Sequence, residues 1–117
     1  MEIKLFDKYP ETGLSIIGKM CTLNDYQQLR NYFNNINIKG DFLIVDLSRC
    51  TFTSSHGLGE LVAIGNTLAK RKKKIILLNP RDEILSIITL AGIDKILTVI
   101  SGDEKLEKEL NLEPKNP

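Results

Sequence analysis

Thr51-Phe52-Thr53-Ser54-Ser55-His56-Gly57-Leu58-Gly59-Glu60 crowds hydroxyls, an imidazole and two glycines between an apolar run and an amphipathic one. Upstream, Asp41-Phe42-Leu43-Ile44-Val45-Asp46-Leu47 holds apolar residues that run on rather than alternate, the pattern of a strand buried on both faces. Downstream, Leu58, Leu61, Val62, Gly65, Leu68 and Ala69 recur every three or four residues and line up one face of a helix. The ten residues are therefore a strand-to-helix junction. Such a loop lies at the carboxyl edge of a sheet, where the first N–H groups of the helix point outward and welcome an anion.

Working outward, Glu2-Ile3-Lys4-Leu5-Phe6 and Leu14 to Met20 read as two strands of an antiparallel hairpin, broken by Tyr9-Pro10-Glu11-Thr12-Gly13. Thr22 with Asp25 three residues on is a capping pair for a helix carrying Tyr26, Leu29, Tyr32, Phe33 and Ile36. Beyond the junction, Ile75-Ile76-Leu77-Leu78 is a second short buried strand. Asn79-Pro80 supplies an expected N-cap and first position for a helix with Ile84, Ile87, Ile88 and Ala91 on its buried stripe, ended by Gly92. Ile96 to Ile100 is a last strand, and Ser101 with Glu104 is a capping box for a short helix bearing Leu106 and Leu110. The order β-β-α-β-α-β-α-β-α defines a single α/β domain, a mixed sheet covered by about four helices, with Phe42 to Leu47 and Ile75 to Leu78 parallel and interior. It spans 1–110, and 111–117 is expected to be a flexible C-terminal tail.

A chain of 117 residues, 42% hydrophobic, can bury one core. Sixteen basic and fifteen acidic residues leave a charge of +1, which argues against steering to nucleic acid or to an anionic membrane. The run Lys70-Arg71-Lys72-Lys73-Lys74 is read accordingly as a solvated helix end that complements the helix dipole. No apolar run reaches the roughly 20 residues of a membrane span, and no secretory leader pattern opens the chain, so a cytoplasmic location is expected. Cys21 and Cys50 lack metal or disulfide spacing and are expected to be small buried thiols.

Catalytic readings of the junction fail on spacing. Ser55 and His56 are sequence neighbours at a helix start and point in different directions, and no carboxylate is placed to orient the imidazole. The nucleophile elbow lacks its first glycine at Thr53, the dinucleotide fingerprint its third at Val62, and no P-loop lysine follows. A metal site on the single histidine has no partners in the loop. No catalytic residue, metal or cofactor is expected, and a small hydrolase using Ser55 is the most distant alternative.

Phe52-Thr53-Ser54-Ser55-His56-Gly57-Leu58-Gly59 resembles the signature loop of STAS domains, the family of bacterial anti-sigma factor antagonists. Val45-Asp46-Leu47-Ser48 before it and Leu90-Ala91-Gly92-Ile93-Asp94-Lys95-Ile96 after it resemble the family in order and spacing. Aligned on Gly57-Leu58-Gly59, Ser55 stands at the phosphoacceptor position. Ser54 replaces the usual aspartate and His56 the next hydroxyl; Ser54 is the alternative acceptor. The resemblance implies a partner switch: the unmodified chain binds an anti-sigma factor of the serine kinase type, phosphorylation of the loop serine ends binding, and a phosphatase restores it. Thr53, Ser54, Ser55, His56, Gly57, Leu58, Gly59 and Glu60 are then the partner-binding stretch, with Gly57 and Gly59 allowing close backbone approach. A monomer or weak dimer is expected, without direct contact to nucleic acid or membrane. An unswitched scaffold or adaptor of the same fold is the runner-up.

Overall fold

The computed structural model describes residues 1–7 and 11–110. The expected tail at 111–117 and part of the first turn lie outside the described residues. Strands β1 (Glu2–Phe6) and β2 (Thr12–Met20) pair antiparallel, with Ile3 opposite Ile16. Helix α1 (Leu23–Asn35) follows, then β3 (Phe42–Asp46), β4 (Cys50–Thr53), α2 (Ser55–Lys70) and β5 (Lys74–Leu78). Helix α3 (Asp82–Leu90), a 3-10 turn (Ile93–Lys95), β6 (Thr98–Ile100) and α4 (Asp103–Leu110) complete the described chain. The sheet runs β1-β2-β3-β5-β6, parallel at every pairing beyond β1, so the fold is the expected α/β domain with a mixed sheet and four helices.

The continuous apolar runs of β3 and β5 result from burial on two sides. Leu43, Val45, Ile75 and Leu77 face α1, α2 and α3, while Phe42, Ile44, Ile76 and Leu78 face α4 through Leu106. Ile44 and Val45 are both fully buried. Gly65 lets α2 come down on this layer, since a Cβ there would collide with Leu97 and press on Ile75.

Five local expectations give way. Cys50–Thr53 is a strand rather than loop: β4 runs parallel to the far half of β2, pairing Lys19 with Phe52 and Met20 with Thr53 across a register shift at Gly18. Asn79 does not cap α3. Its φ is 54°, its N–H bonds the Ile100 carbonyl and its Oδ1 accepts from the Gly102 N–H, so it ties the end of β5 to the start of α4, and Arg81 takes the cap position without a side-chain capping bond, its Nε donating instead to the Ser48 carbonyl. Ser101 is displaced by Gly102, whose carbonyl accepts the first helical bond from Leu106. The last strand begins only at Thr98, because the chain over 93–95 is still coiled as a 3-10 turn. Cys21 is exposed, just ahead of the α1 cap, whereas Cys50 is buried and its thiol is pushed up by desolvation.

The expected capping box of α1 is present. Thr22 Oγ1 accepts from the Asp25 N–H at 3.1 Å, and Asp25 Oδ2 accepts from the Cys21 and Thr22 N–H groups at 2.9 and 3.1 Å. The Cys21 bond, followed by those to Thr22, holds this carboxyl below its usual range.

Candidate functional site at the start of α2

β4 delivers the serine pair to the helix. The Ser54 N–H bonds the Met20 carbonyl at 3.2 Å, extending the β2–β4 ladder by one step, and the chain then turns into α2 with Ser54 as N-cap. Ser54 Oγ accepts from the Gly57 N–H at 3.0 Å and shares a short hydrogen bond with the Tyr26 hydroxyl on α1. Both sides of that hydroxyl are engaged. Ser55 is the first helical residue; it is exposed, and among the described residues its side chain has no hydrogen-bond partner. The N–H groups of Ser55 and His56 have no carbonyl four residues back within the helix, which leaves the positive end of α2 beside the free hydroxyl.

A second layer braces this turn. Arg30 of α1 grips Glu60 of α2 with two bonds, Nε to Oε1 at 2.7 Å and Nη2 to Oε2 at 2.6 Å, a fork that matches the carboxylate in plane. The Arg30 bond holds the Glu60 carboxyl below its ordinary range, and Glu60 in turn raises the guanidinium. His56, one turn before Glu60, brings Nε2 to 3.3 Å from Oε2, and its ring stacks on Tyr26 at 4.2 Å with 10° between the planes. A carboxylate therefore does orient the imidazole, contrary to expectation. It turns Nε2 toward Glu60, and no hydrogen bond joins His56 to Ser55. A hydrolase reading loses its base.

The expected partner-binding stretch divides by exposure. Ser55, His56 and Gly59 are exposed and Ser54 is half-buried, while Thr53, Gly57, Leu58 and Glu60 are buried. Gly57 is a packing residue: a Cβ there would overlap Thr53 Oγ1 and come within 3.1 Å of the Met20 carbonyl. Around Gly59, by contrast, a Cβ would meet nothing within 4 Å. Tyr26 and Arg30 belong to the site and escaped the sequence reading. The signal available was two i, i+4 pairs, Tyr26/Arg30 and His56/Glu60, whose chemistries complement one another across two helices.

At the opposite end of α2, Arg71, Lys72 and Lys73 close the helix. The Lys73 N–H reaches the Leu68 carbonyl and the Lys72 N–H that of Ala69, a Schellman ending with Lys72 in the left-handed region at φ 60°. Arg71 lies over the Phe33 ring at 5.6 Å, and Lys73 Nζ bonds the Gly40 carbonyl. The Arg71 and Lys73 side chains are therefore engaged by neighbouring residues, and Lys72 is exposed. Among the described residues no helix is long and apolar enough to cross a membrane, and no three His, Cys, Asp or Glu side chains gather to hold a metal.

Comparison with known protein families matches residues 8–108 to the STAS domain, and the chain belongs to that family. Among solved structures it is similar to the anti-sigma factor antagonist SpoIIAA in its unphosphorylated form, with 16% identity, a TM-score of 0.73, and coverage of 97% of this chain and 100% of that one. The phosphorylated form of the Bacillus cell fate determinant SpoIIAA matches with 16% identity and a TM-score of 0.67 over 94% of this chain and 100% of that one. The STAS domain of a SulP transporter from Vibrio cholerae matches with 15% identity and a TM-score of 0.61, covering 84% and 82%.

Proposed function

We propose that this chain is an anti-sigma factor antagonist acting by partner switching. Unmodified, it binds an anti-sigma factor of the serine kinase type; phosphorylation of Ser55 releases it, and a phosphatase resets it. The protein then acts as a binding module with no chemistry of its own, working in the cytoplasm with no direct role for nucleic acid or membrane. The STAS domain is taken to span residues 1–110, around the matched segment 8–108. The observation that carries the reading is the unequal treatment of the two serines: the Ser54 hydroxyl is bound by the Gly57 N–H and by Tyr26, while Ser55 is exposed and unbonded at the first position of α2.

A phosphate on Ser55 adds about −1.5 to −2 charges. The helix N-terminus favours it by about 0.3–1 kcal/mol, so the domain tolerates the modification. Shifting a complex from 99:1 to 1:99 takes about 5.5 kcal/mol. That larger effect comes from repulsion and desolvation at the partner interface, because Ser55, His56 and Gly59 offer their exposed surface there.

Ser54 standing where the family loop carries aspartate favours a second reading, an adaptor of the same fold that is never phosphorylated. Capture of the native partner, followed by titration calorimetry of wild type, Ser55→Ala, Ser55→Glu and Ser54→Ala, separates the two. Under the switch, Ser55→Ala binds as wild type, Ser55→Glu binds roughly tenfold more weakly, and kinase with ATP adds one phosphate at Ser55. Binding unchanged in all four proteins, with no phosphate on the loop, establishes the adaptor; phosphate on Ser54 moves the acceptor.

A further inference from the structure

The side of the molecule away from the serine turn has an unusual composition. Asn24, Gln28, Asn31 and Asn35 succeed one another by four, three and four residues, so they form a single stripe along α1, with Gln27 beside it. In a chain that is 26% charged, this stripe carries no charge. It walls a groove of about 600 Å³ whose opposite wall includes Leu5 of β1, a leucine left 54% exposed. Among the described residues the side chains of Asn24 and Gln27 make no hydrogen bond. β1 itself pairs only with β2, and no described strand lies beyond it, so one row of its backbone groups is open at the sheet edge.

We infer that this edge is the interface with a second copy of this chain, formed by antiparallel pairing of β1 with itself about a two-fold axis. A two-fold axis sets each surface against its own copy, so like charges meet unless the register separates them. Carboxamides are suited to that arrangement, since each is donor and acceptor at once and repels nothing.

The charges on β1 select the register. Glu2 and Lys4 are both 59% exposed and lie on the same face, 3.7 Å apart. Centred on Ile3, the pairing sets Glu2 opposite Lys4 of the second copy, and does so twice. Centred on Lys4, it sets two ammonium groups directly opposite one another. Centred on Leu5, it sets Ile3 opposite the Asp7 carboxylate. The Ile3 register alone gives complementary pairs, and it extends the sheet across the axis while setting each Leu5 opposite Met1 of the second copy and bringing the two carboxamide stripes toward one another on the α1 face.

Sedimentation equilibrium of the tag-free chain from about 10 μM to 1 mM covers the range expected of so small an interface. The wild type is expected to dimerise reversibly. Lys4→Glu and, separately, Glu2→Lys each turn two attractive pairs into repulsive ones and weaken the dimer by about tenfold or more. The double variant Glu2→Lys/Lys4→Glu restores complementarity and returns the affinity to within about threefold of wild type. Circular dichroism melting is run on each, and at these exposed positions the monomer fold is expected to be unchanged. A wild type that stays monomeric at 1 mM, even one whose edge takes up an extended peptide instead, overturns the inference. So does a single reversal that dimerises as well as wild type, or a double variant that stays monomeric.

Discussion

The two ends of α2 are built from opposite materials. At its start most polar side chains are paired: Ser54 with Tyr26 and Glu60 with Arg30, both on α1, and His56 with Glu60 and the Tyr26 face. Ser55 is the hydroxyl left out. At its end the chain turns through Lys72 in a left-handed conformation that a residue with a Cβ rarely adopts, and the surrounding cations lie on the surface. Backbone strain is often taken to mark function, but here the strained end is the structural one. The end proposed to bind a partner has the opposite character, a well-braced turn that presents one unbonded hydroxyl.

Gly57→Ala breaks the braced end and carries the largest expected effect. The added methyl meets the buried Thr53 Oγ1 and the Met20 carbonyl, so the loss is about 1–3 kcal/mol despite alanine's better helix propensity. Gly59→Ala, two residues on and facing open space, is the control and gains about 0.5–1 kcal/mol. Urea melts of the pair decide it: equal stabilities would mean that Gly57 is not a packing residue.

Lys72→Gly relieves the strained end. Removing the left-handed penalty is worth about 1 kcal/mol, read as a melting temperature roughly 4 °C higher, and partner binding is expected to be unaffected. A drop in stability would show that the Lys72 side chain contributes more than its conformation costs.

The smallest effect is in acid. The carboxyls of Glu60 and Asp25 titrate below their unfolded values, the first chiefly through Arg30 and the second chiefly through the Cys21 N–H. A depressed carboxylate contributes stability that is present above the unfolded value, about 4, and is lost as pH falls through the folded one. Stability measured from pH 7 downward should therefore decline below about pH 4–5, and Glu60→Gln should flatten that decline while lowering the plateau. A variant whose acid limb runs parallel to wild type would place the dependence elsewhere.

The sequence announced the core well and the site's bracing poorly, for a physical reason in each case. Phe42 to Val45 and Ile75 to Leu78 are apolar at consecutive positions because both faces are covered, and that pattern needs no knowledge of partners. β4 was hidden because Cys50–Thr53 is four residues long, buries only its ends and is rich in hydroxyls, so nothing local separates it from a loop. Asn79-Pro80 misled because an asparagine suits a left-handed bend as well as a cap, and only the distant Ile100 and Gly102 decide between them. The alignment on Gly57-Leu58-Gly59 set Ser55 ahead of Ser54 as acceptor, but that Ser54 is bonded and Ser55 is not depends on Tyr26, brought in from α1. Such choices depend on tertiary neighbours, which no local pattern contains.

The division of β2 between two parallel partners has a consequence for cooperativity. Thr12 to Ser15 lie along β3 in the main sheet, whereas Gly18 to Met20 lie along β4, on the far side of the register shift. β4 has no second strand neighbour among the described residues, so its ladder to β2 can open while β3 and β5 stay zipped. The β4 ladder is thus expected to open at a lower free energy than the β3–β5 pairing, while the turn after it stays held to α1 by Tyr26 and by the Arg30–Glu60 fork. The amide protons of Cys50 to Thr53 should therefore exchange ahead of those of β3 and β5, and the far half of β2 should lose protection together with β4 rather than with the main sheet.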